Sequence, residues 1–357
     1  MTTGMAFSLQ DLLEMDIKSL TLEELKSVVT ELGLPGFRAK QIYEWMHVKL
    51  VTSYDEMTNL SKDLRERMSE SYPLVTLKQE RVQESQIDGT KKFLFELPDG
   101  NFVESVFMRY KHGNSVCISS QVGCKMGCRF CASTLDGWER NLLPSEMLEQ
   151  IYSITRIVGE RISNIVVMGT GEPMDNYDNL VRFIHLITDE NGLNISGRNI
   201  TVSTCGIVPG IRRLAEEDLT LTLALSLHAT TDEKRVKLMP IANKYSISEL
   251  MEACAYYFDK TGRRITFEYS LVGGVNDTPE DAKELIALAR PLGCHVNLIP
   301  VNPIKERDFV RGSREAILAF KDRLEKNGIN VTIRREMGQD IDGACGQLRR
   351  RKMNETV

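Results

Sequence analysis

Three cysteines near the middle of the chain have the spacing of an iron–sulfur site. Cys124, Cys128 and Cys131 lie in the run CKMGCRFC, at C-x3-C-x2-C spacing, with Gly127 between the first two. A [4Fe–4S] cluster needs four ligands, and proteins that only carry electrons normally supply four cysteines. Three thiolates leave one iron without a protein ligand, much as catalytic zinc sites keep one position open. The motif therefore predicts a cluster that binds a cofactor or substrate at its fourth iron.

A structural zinc site is the main alternative for these cysteines. Zinc would require a fourth ligand, and the nearest candidates along the chain are the thiol of Cys117 and the imidazole of His112. Three buried thiols without a metal are a further alternative. The spacing favours the iron–sulfur cluster and leaves both alternatives open.

The composition agrees with a cytoplasmic metalloenzyme. With 357 residues, 42% of them hydrophobic, the chain can bury one large core and a small additional domain. The sequence has no long apolar run, and its N-terminus lacks a basic region followed by an apolar segment, so we expect a cytoplasmic protein. Eight cysteines in a chain of this length indicate a reducing compartment. The net charge of −5 argues mildly against a nucleic-acid partner, although a local basic face is enough to bind RNA.

Residues 1–75 are expected to form a helical, hairpin-like domain. Thr21 and Glu24 form a capping-box pattern at the start of LEELKSVVTEL, which Gly33 ends, and a Leu-Pro-Gly turn leads into FRAKQIYEWMH. Basic and aromatic residues of the second helix could form one RNA-binding face: Arg38, Lys40, Tyr43, Trp45, His47 and Lys49. A solvated helix over an ordinary core is the alternative. We expect this domain to dock RNA.

The remaining chain reads as a β-meander followed by alternating strands and helices. Residues 76–113 alternate polar and apolar positions around a Pro-Asp-Gly-Asn turn. From 114 to 345, helical patterns separate six apolar strand patterns: NIVVMG, NITVST, LTLALSLH, ITFEYSL, HVNLIPV and NVTIR. This order predicts an α/β fold, a partial (β/α)6 barrel like a TIM barrel, with its ligand site at the C-terminal ends of the strands.

Polar residues and glycines follow several of these strands. Gly169-Thr170-Gly171-Glu172-Pro173 comes after IVVM, where glycines allow close approach of the backbone to a ligand. Ser203, Ser226, His228 and Asn302 stand at or just past the ends of three other strands. We expect these groups to converge on a ribose, an amino-acid head group or the edge of a nucleobase.

Longer motifs resemble those of the RlmN-type radical SAM RNA methyltransferases over nearly the whole chain. The motifs are CISSQVGCKMGCRFCASTLDG, GTGEPMDNYDN, VSTCGIVP, LSLHATTDEKRVKLMPI, GVNDTPEDA, NLIPVNP and DIDGACGQL. Together they are highly specific. The one departure is Thr170, where the family pattern leads us to expect methionine.

The resemblance implies a role for each matching residue. It makes Cys124, Cys128 and Cys131 the cluster ligands and places S-adenosylmethionine (SAM) on the open iron, with Phe130 packed near its adenine. The positions that match SAM contacts are Gly171, Glu172, Ser203, Ser226, Leu227, His228 and Asn302. Glu104 matches the catalytic base, and Cys117 and Cys345 match the two redox-active cysteines.

The resemblance also implies the reaction, which is methylation of C2 of adenosine 2503 in 23S rRNA and of adenosine 37 in some tRNAs. One SAM methylates Cys345, and a second is cleaved to a 5′-deoxyadenosyl radical that takes hydrogen from the S-methyl group. The methylene radical adds to the electron-poor C2, Glu104 removes a proton, and Cys117 attacks the Cys345 sulfur to leave a disulfide. A reductant such as flavodoxin or ferredoxin and a monomeric enzyme are also expected.

Two other functions fit part of this pattern. Cfr-type relatives share the cysteines but methylate C8 of the same rRNA adenosine, and a non-catalytic RNA-binding protein with an iron–sulfur cluster would need no Glu104, Cys117 or Cys345. Residues 346–357 form a basic tail that contains Arg349, Arg350, Arg351 and Lys352. This tail is either disordered or in contact with RNA phosphates.

Overall fold

The computed structural model describes residues 11, 14–301, 309–341 and 346–355. Between residues 14 and 75, which the structure describes, the N-terminal lobe contains the α-helices α1 (Leu22–Glu31), α2 (Phe37–His47) and α3 (Lys62–Ser71). At the start of α1, the Glu24 amide donates to the Thr21 hydroxyl, and the Thr21 amide donates to the Glu24 carboxylate over 2.8 Å. The predicted capping box is therefore confirmed.

Helix α2 directs its basic and aromatic side chains to different surroundings. Tyr43 and His47 are buried against the rest of the protein, where the Tyr43 hydroxyl donates to Asp189 over 2.8 Å. Lys40 is exposed, and Arg38 is half-buried, with hydrogen bonds to Gln41 and to the carbonyl of Asn59. The prediction of one continuous basic-aromatic face is wrong, because residues four positions apart, such as 43 and 47, share the face of a helix that packs inward.

The N-terminal lobe shares one apolar core with the remainder of the chain. A fully buried ion pair crosses this boundary, with 2.7 Å between the Lys18 ammonium and the Glu149 carboxylate and no exposure of either side chain. The same ammonium donates to the carbonyl of Val75 over 2.6 Å. The lobe is thus joined to the core by buried polar contacts as well as by apolar packing.

The described strands belong to one large curved sheet and one short ribbon. They are β1 (Lys78–Glu84), β2 (Lys91–Glu96), β3 (Phe102–Tyr110), β4 (Gly113–Cys117), β5 (Gln121–Gly123), β6 (Trp138–Asn141), β7 (Ile162–Val167), β8 (Ile200–Thr204), β9 (Thr222–Ser226), β10 (Ile265–Leu271), β11 (His295–Pro300) and β12 (Asn330–Ile333). The sheet contains the ten strands β1–β4 and β7–β12, and the ribbon contains β5 and β6. Strands β1 to β4 pair antiparallel, which confirms the meander. Strand β4 then pairs parallel with β7, and β7 to β12 continue in parallel.

Helices connect the parallel strands. They are α4 (Pro144–Val158), α5 (Tyr177–Thr188), α6 (Val208–Glu216), α7 (Asp232–Leu238), α8 (Ile247–Thr261), α9 (Pro279–Ala289) and α10 (Arg314–Lys326). The partial β/α barrel is confirmed, with β4 as a seventh parallel strand and β12 at one edge of the sheet. The sharing of β4 joins the meander to the barrel.

The basic tail contains a helix, α11 (Gln347–Glu355). Lys352 pairs with Glu80 of β1 over 2.6 Å, and the Arg350 guanidinium lies 3.6 Å from Asp136. Residues 347–355 are therefore not disordered, because their charges have partners on the meander and near the cysteine loop. In the part of the chain described, no helix has the length and apolarity needed to cross a membrane.

Candidate active site

The three cysteines of the CKMGCRFC run line one cavity of about 210 Å³ at the C-terminal ends of the parallel strands. The loop is held by backbone hydrogen bonds, from the Cys124 amide to the Gly137 carbonyl over 2.8 Å and from the Arg129 amide to the Leu238 carbonyl over 2.9 Å. Gly127 has a φ of +70°, a backbone conformation that glycine adopts without strain. The loop thus presents Cys124, Cys128 and Cys131 to a common space.

The surroundings of these thiols suit a metal cluster. Burial raises the pKa of Cys124 to about 12 and that of Cys128 even further, so thiolates here need a compensating positive charge. Iron ions would supply that charge, and three thiolates are the donor set for a cluster with one open iron. The two candidates for a fourth zinc ligand lie elsewhere, because Cys117 lines a different cavity and His112 stacks on Tyr110.

The glycines after β7 allow the backbone of this turn to pack closely against residues 118–121, which precede the cysteine loop. A Cβ atom on Gly169 would lie 2.7 Å from the Ile118 carbonyl oxygen, and one on Gly171 would lie 2.7 Å from Gln121 Cβ. Between them, the Thr170 hydroxyl lies 3.2 Å from that of Ser133, just after the cysteine loop. Thr170, which stands where methionine was expected, therefore connects this turn to the segment just after the cysteine loop by a hydrogen bond.

Glu172 ends the same turn as a buried carboxylate on the cavity wall. Its oxygens accept from the amides of Cys205 over 2.7 Å and Met174 over 3.1 Å. Burial raises the pKa of Glu172, and these amide donors oppose the rise. The side chain is fixed across the ends of β7 and β8, so it can bind a hydrogen-bond donor in the cavity.

Ser203, Ser226 and His228 line the cavity together with Gly171 and Glu172. The ring nitrogen Nδ1 of His228 accepts the Ser270 amide over 2.9 Å, so the proton of the neutral ring is on Nε2. Burial and the charge of Arg235 lower the pKa of His228 to about 3. His228 has a φ of +56°, which is strained for a residue with a side chain and is typical of functional sites.

Leu227 belongs to the same strand end but is fully buried, and its amide donates to the carbonyl of Glu268. Asn302 and Cys345, the two other positions in the predicted site, lie outside the described residues.

The sequence interpretation missed several groups on the cavity wall. Glu268, Ser270, Cys205 and Arg334 all line it. Glu268 is almost fully buried, accepts from the Asn297 amide group over 2.9 Å, and has its pKa raised by burial. The signal for Glu268 was a single acidic residue in the apolar strand ITFEYSL, two positions from Ser270 and therefore on the same face. Cys205 is buried and also borders the cavity.

A second cavity, of about 490 Å³, lies beside the first. The two share Ile299 and Arg334 as lining residues, and Cys117 lines the second one. Val106 and Met108 of β3 form part of its wall, and Val106 is the register partner of Cys117. The fold therefore places Cys117 on the wall of a cavity that adjoins the cavity lined by the cysteine loop.

Glu104 lies on the same face of β3 as Val106 and Met108, because alternate strand residues point to one side. It is buried, and its carboxylate accepts from the Gly346 amide over 2.6 Å. The Lys92 ammonium lies 3.1 Å away, also fully buried. Glu104, Cys117 and the residue that follows Cys345 are thus brought to one region from three distant parts of the chain.

Comparison with known proteins agrees with this architecture. Residues 118–289 match the Radical SAM superfamily model, and residues 15–73 match the ribosomal RNA large subunit methyltransferase N-terminal domain. The chain is also similar to a solved structure, a radical SAM methyltransferase from Sphaerobacter thermophilus. That structure has a TM-score of 0.90 and 44% identity, with 93% of this chain and 98% of the other covered.

Curated relatives extend the similarity to the whole chain. A protein of Lachnospira eligens, named probable dual-specificity RNA methyltransferase RlmN, is 64% identical over 340 residues, which cover 95% of this chain and 97% of the relative. A protein of the same name from Lachnoclostridium phytofermentans is 62% identical, with 96% and 97% covered. The chain therefore belongs to the RlmN family of radical SAM RNA methyltransferases.

Proposed function

We propose that this protein methylates C2 of adenosine in RNA, at adenosine 2503 of 23S rRNA and adenosine 37 of some tRNAs. The observation that carries the proposal is the pair of adjacent cavities. One is lined by the three cysteines and the other by Cys117, and both include Ile299 and Arg334. The proposed reaction begins with cleavage of SAM at a metal cluster and ends with thiol chemistry at the adenine, so it requires two such neighbouring sites.

The first cavity would hold the cluster and SAM. Cys124, Cys128 and Cys131 would bind a [4Fe–4S] cluster, which when bound supplies the electron for reductive cleavage of SAM. The SAM contacts would come from Gly171, Glu172, Ser203, Ser226, Leu227, His228 and Asn302. His228 would donate from Nε2, and Leu227 would contribute through its backbone, because its side chain is turned into the core.

The second cavity would hold the target adenine, turned out of its RNA stack. Arg334 and Arg335 are exposed beside it and are suited to phosphate contact. The N-terminal lobe would dock the folded RNA with the exposed side chains of Lys40 and Lys49 and the half-buried Arg38, rather than with the buried Tyr43 and His47. The relatives' name, with its dual specificity, supports two classes of RNA substrate.

The chain's own residues would then complete the transfer. The Cys345 thiolate takes a methyl group from one SAM, which leaves S-adenosylhomocysteine, and after hydrogen abstraction this carbon bonds to C2. The adduct would lose one proton to Glu104 and one electron, for which the oxidised cluster held by the three cysteines would be the acceptor. The Cys117 thiolate attacks the Cys345 sulfur, so that an S–S bond forms while the C–S bond breaks, and the released carbon takes up a proton. We also propose that the protein is a cytoplasmic monomer and that its reductant is flavodoxin or ferredoxin.

The test is to incubate anaerobically reconstituted protein with SAM, a reductant and either a 23S rRNA fragment or total tRNA. Mass spectrometry of the digested RNA then identifies the modified nucleoside. We expect 2-methyladenosine in both substrates. Detection of 8-methyladenosine would instead indicate Cfr-type chemistry, and an unmodified RNA that still binds the iron-loaded protein would indicate a binding protein.

A further inference from the structure

The carboxylate of Glu104 caps a helix that belongs to a different part of the chain. Its Oε2 accepts from the Gly346 amide over 2.6 Å, and its Oε1 accepts from the Arg349 amide over 2.7 Å. These amides belong to the residue just before α11 and to the third residue of α11. The first amides of a helix have no partner within it and carry partial positive charge, so a carboxylate placed there stabilises the helix.

Helix α11 needs this external cap because its own preceding residue has no side chain. Gly346 has a φ of +80°, and a Cβ atom there would lie 2.8 Å from the backbone nitrogen of Ser133. A capping serine, threonine or aspartate is therefore excluded by the close packing against the segment after Cys131. The fold supplies the missing acceptor from β3.

Glu104 is itself held firmly. Its own carbonyl accepts from the Ser119 hydroxyl over 2.8 Å, and its carboxylate pairs with the Lys92 ammonium. A carboxylate offers about four acceptor directions, and the two amides and Lys92 already use three of them. At most one direction is left for a proton that comes from a substrate.

We propose that Glu104 is a positioning residue for Cys345, in addition to its proposed role as a base. The inference rests on the proposed function, in which Cys345 carries the methyl group. Gly346 directly follows Cys345 in the sequence, so the hydrogen bond from its amide to Glu104 anchors the chain next to the proposed methyl carrier. Loss of the cap therefore slows the methylation of Cys345 itself, a step that precedes any contact with RNA and needs no base acting on adenine.

The experiment uses full-length, iron-loaded protein with Glu104→Gln, Glu104→Ala and, as the matched control, Ser313→Ala. Ser313 caps α10 at an exposed site, where its hydroxyl accepts from the Ala316 amide over 3.2 Å. Intact-protein mass spectrometry follows the methylation of Cys345 by SAM without RNA. Hydrogen exchange measures the protection of residues 347–355.

In Glu104→Ala we expect methylation of Cys345 to slow by about tenfold with an unchanged KM for SAM, and exchange in α11 to accelerate by about tenfold. Ser313→Ala should match the unmodified protein in both measurements. Because Glu104→Ala leaves the Lys92 ammonium buried without this partner, the double variant Lys92→Met/Glu104→Met provides a second test if the single variant folds poorly.

Methylation of Cys345 at the normal rate in the Glu104 variants, or unchanged exchange in α11, would overturn the positioning role. If Cys345 is never methylated in the protein without substitutions, the proposed function itself fails. The two failures are distinguishable because the first compares variants and the second concerns the unmodified protein alone.

Discussion

Glu104 and Gly346 are 242 positions apart in the chain, and their carboxylate and amide are 2.6 Å apart in the fold. This contact joins the meander to the segment that follows Cys345. It also places a carboxylate beside the cavity that Cys117 lines. The hydrogen bond therefore holds the proposed base against the residue that follows the proposed methyl carrier in the sequence.

The first prediction concerns the cluster ligands. Replacement of Cys124, Cys128 or Cys131 by alanine should remove the iron and the visible absorbance of the reconstituted protein, because two thiolates rarely hold a four-iron cube. Iron analysis measures this directly. Cys254→Ala is the matched control, because Cys254 is fully buried in the apolar core and should leave four irons per chain. Retention of four irons in the triple variant would refute the assignment.

The second prediction concerns the two proposed redox cysteines. Cys345→Ala removes the methyl carrier, so neither methylated RNA nor a covalent adduct should form. Cys117→Ala keeps the carrier but removes the thiol that resolves the adduct, so the protein should remain joined to its RNA on a denaturing gel. Cys294→Ala, at a buried position in the core, should behave like the unmodified protein. Normal turnover by Cys117→Ala would exclude this chemistry.

The third prediction compares two glycines with nearly equal φ. Gly346 has a φ of +80° and lies against Ser133, whereas Gly328 has a φ of +78° and open space around it. Gly328→Ala should lower the free energy of unfolding by about 1 kcal/mol through backbone strain alone. Gly346→Ala adds a collision with the backbone of Ser133, so it should destabilise more and also slow the methylation of Cys345. Equal effects of the two substitutions in urea titration and mass spectrometry would argue against tight packing at Gly346.

The fourth prediction concerns the buried ion pair of the N-terminal lobe. Lys18→Met leaves the Glu149 carboxylate buried with Arg156 as its remaining charged partner, so the free energy of unfolding should fall by about 3 kcal/mol. Lys26→Met removes an exposed pair with Glu23 and should change it by less than about 0.5 kcal/mol. Urea titration checks both values. A small effect at Lys18 would show that the lobe packs on the core without help from this pair.

The fifth prediction is a loss of stability in acid that originates at His47. Burial, together with the charge of Lys18, lowers the pKa of His47 to about 3 from an ordinary 6.5, despite an opposing contribution from Asp189. Below pH 6.5 the unfolded chain binds a proton here that the folded protein does not, so stability falls as the pH decreases. The loss should be roughly 1 kcal/mol at pH 5.5 relative to pH 8.

Urea titration at the two pH values measures this difference. The His47→Asn variant should be less stable overall, because the contact between His47 and Tyr152 is lost, but its stability should depend less on pH. An unchanged pH dependence in this variant would contradict the assignment to His47.

Features encoded within a few residues were predictable from the sequence. The capping box of Thr21 and Glu24 depends on two residues three positions apart. The cysteine loop depends on three cysteines within the eight residues CKMGCRFC. The order of the strands followed from their apolar patterns, because each pattern is contained in one segment. Local spacing is therefore sufficient to predict these elements and the loop that brings the three cysteines to one cavity.

Features that depend on tertiary packing were not predictable. Tyr43 and His47 are amphipathic side chains that fit either side of a helix, and only the position of Asp189 and Tyr152 explains their burial. The cap that Glu104 provides for α11 requires the fold to bring β3 to the end of the chain. Glu268 could be recognised as unusual in its strand, but its place on the cavity wall depends on the curvature of the sheet.

The long separation between Glu104 and Gly346 also has a consequence for how the protein is made. Synthesis proceeds from the N-terminus, and elements fold as they emerge. The meander and the parallel strands precede α11 in the chain, so the docking of α11 against β3 has to follow the synthesis of both. A chain cut before Gly346 by a protease would keep its cysteine loop but lose the amides that Glu104 holds. If the proposed positioning role is correct, such a cut would slow the first methyl transfer without touching the cluster ligands.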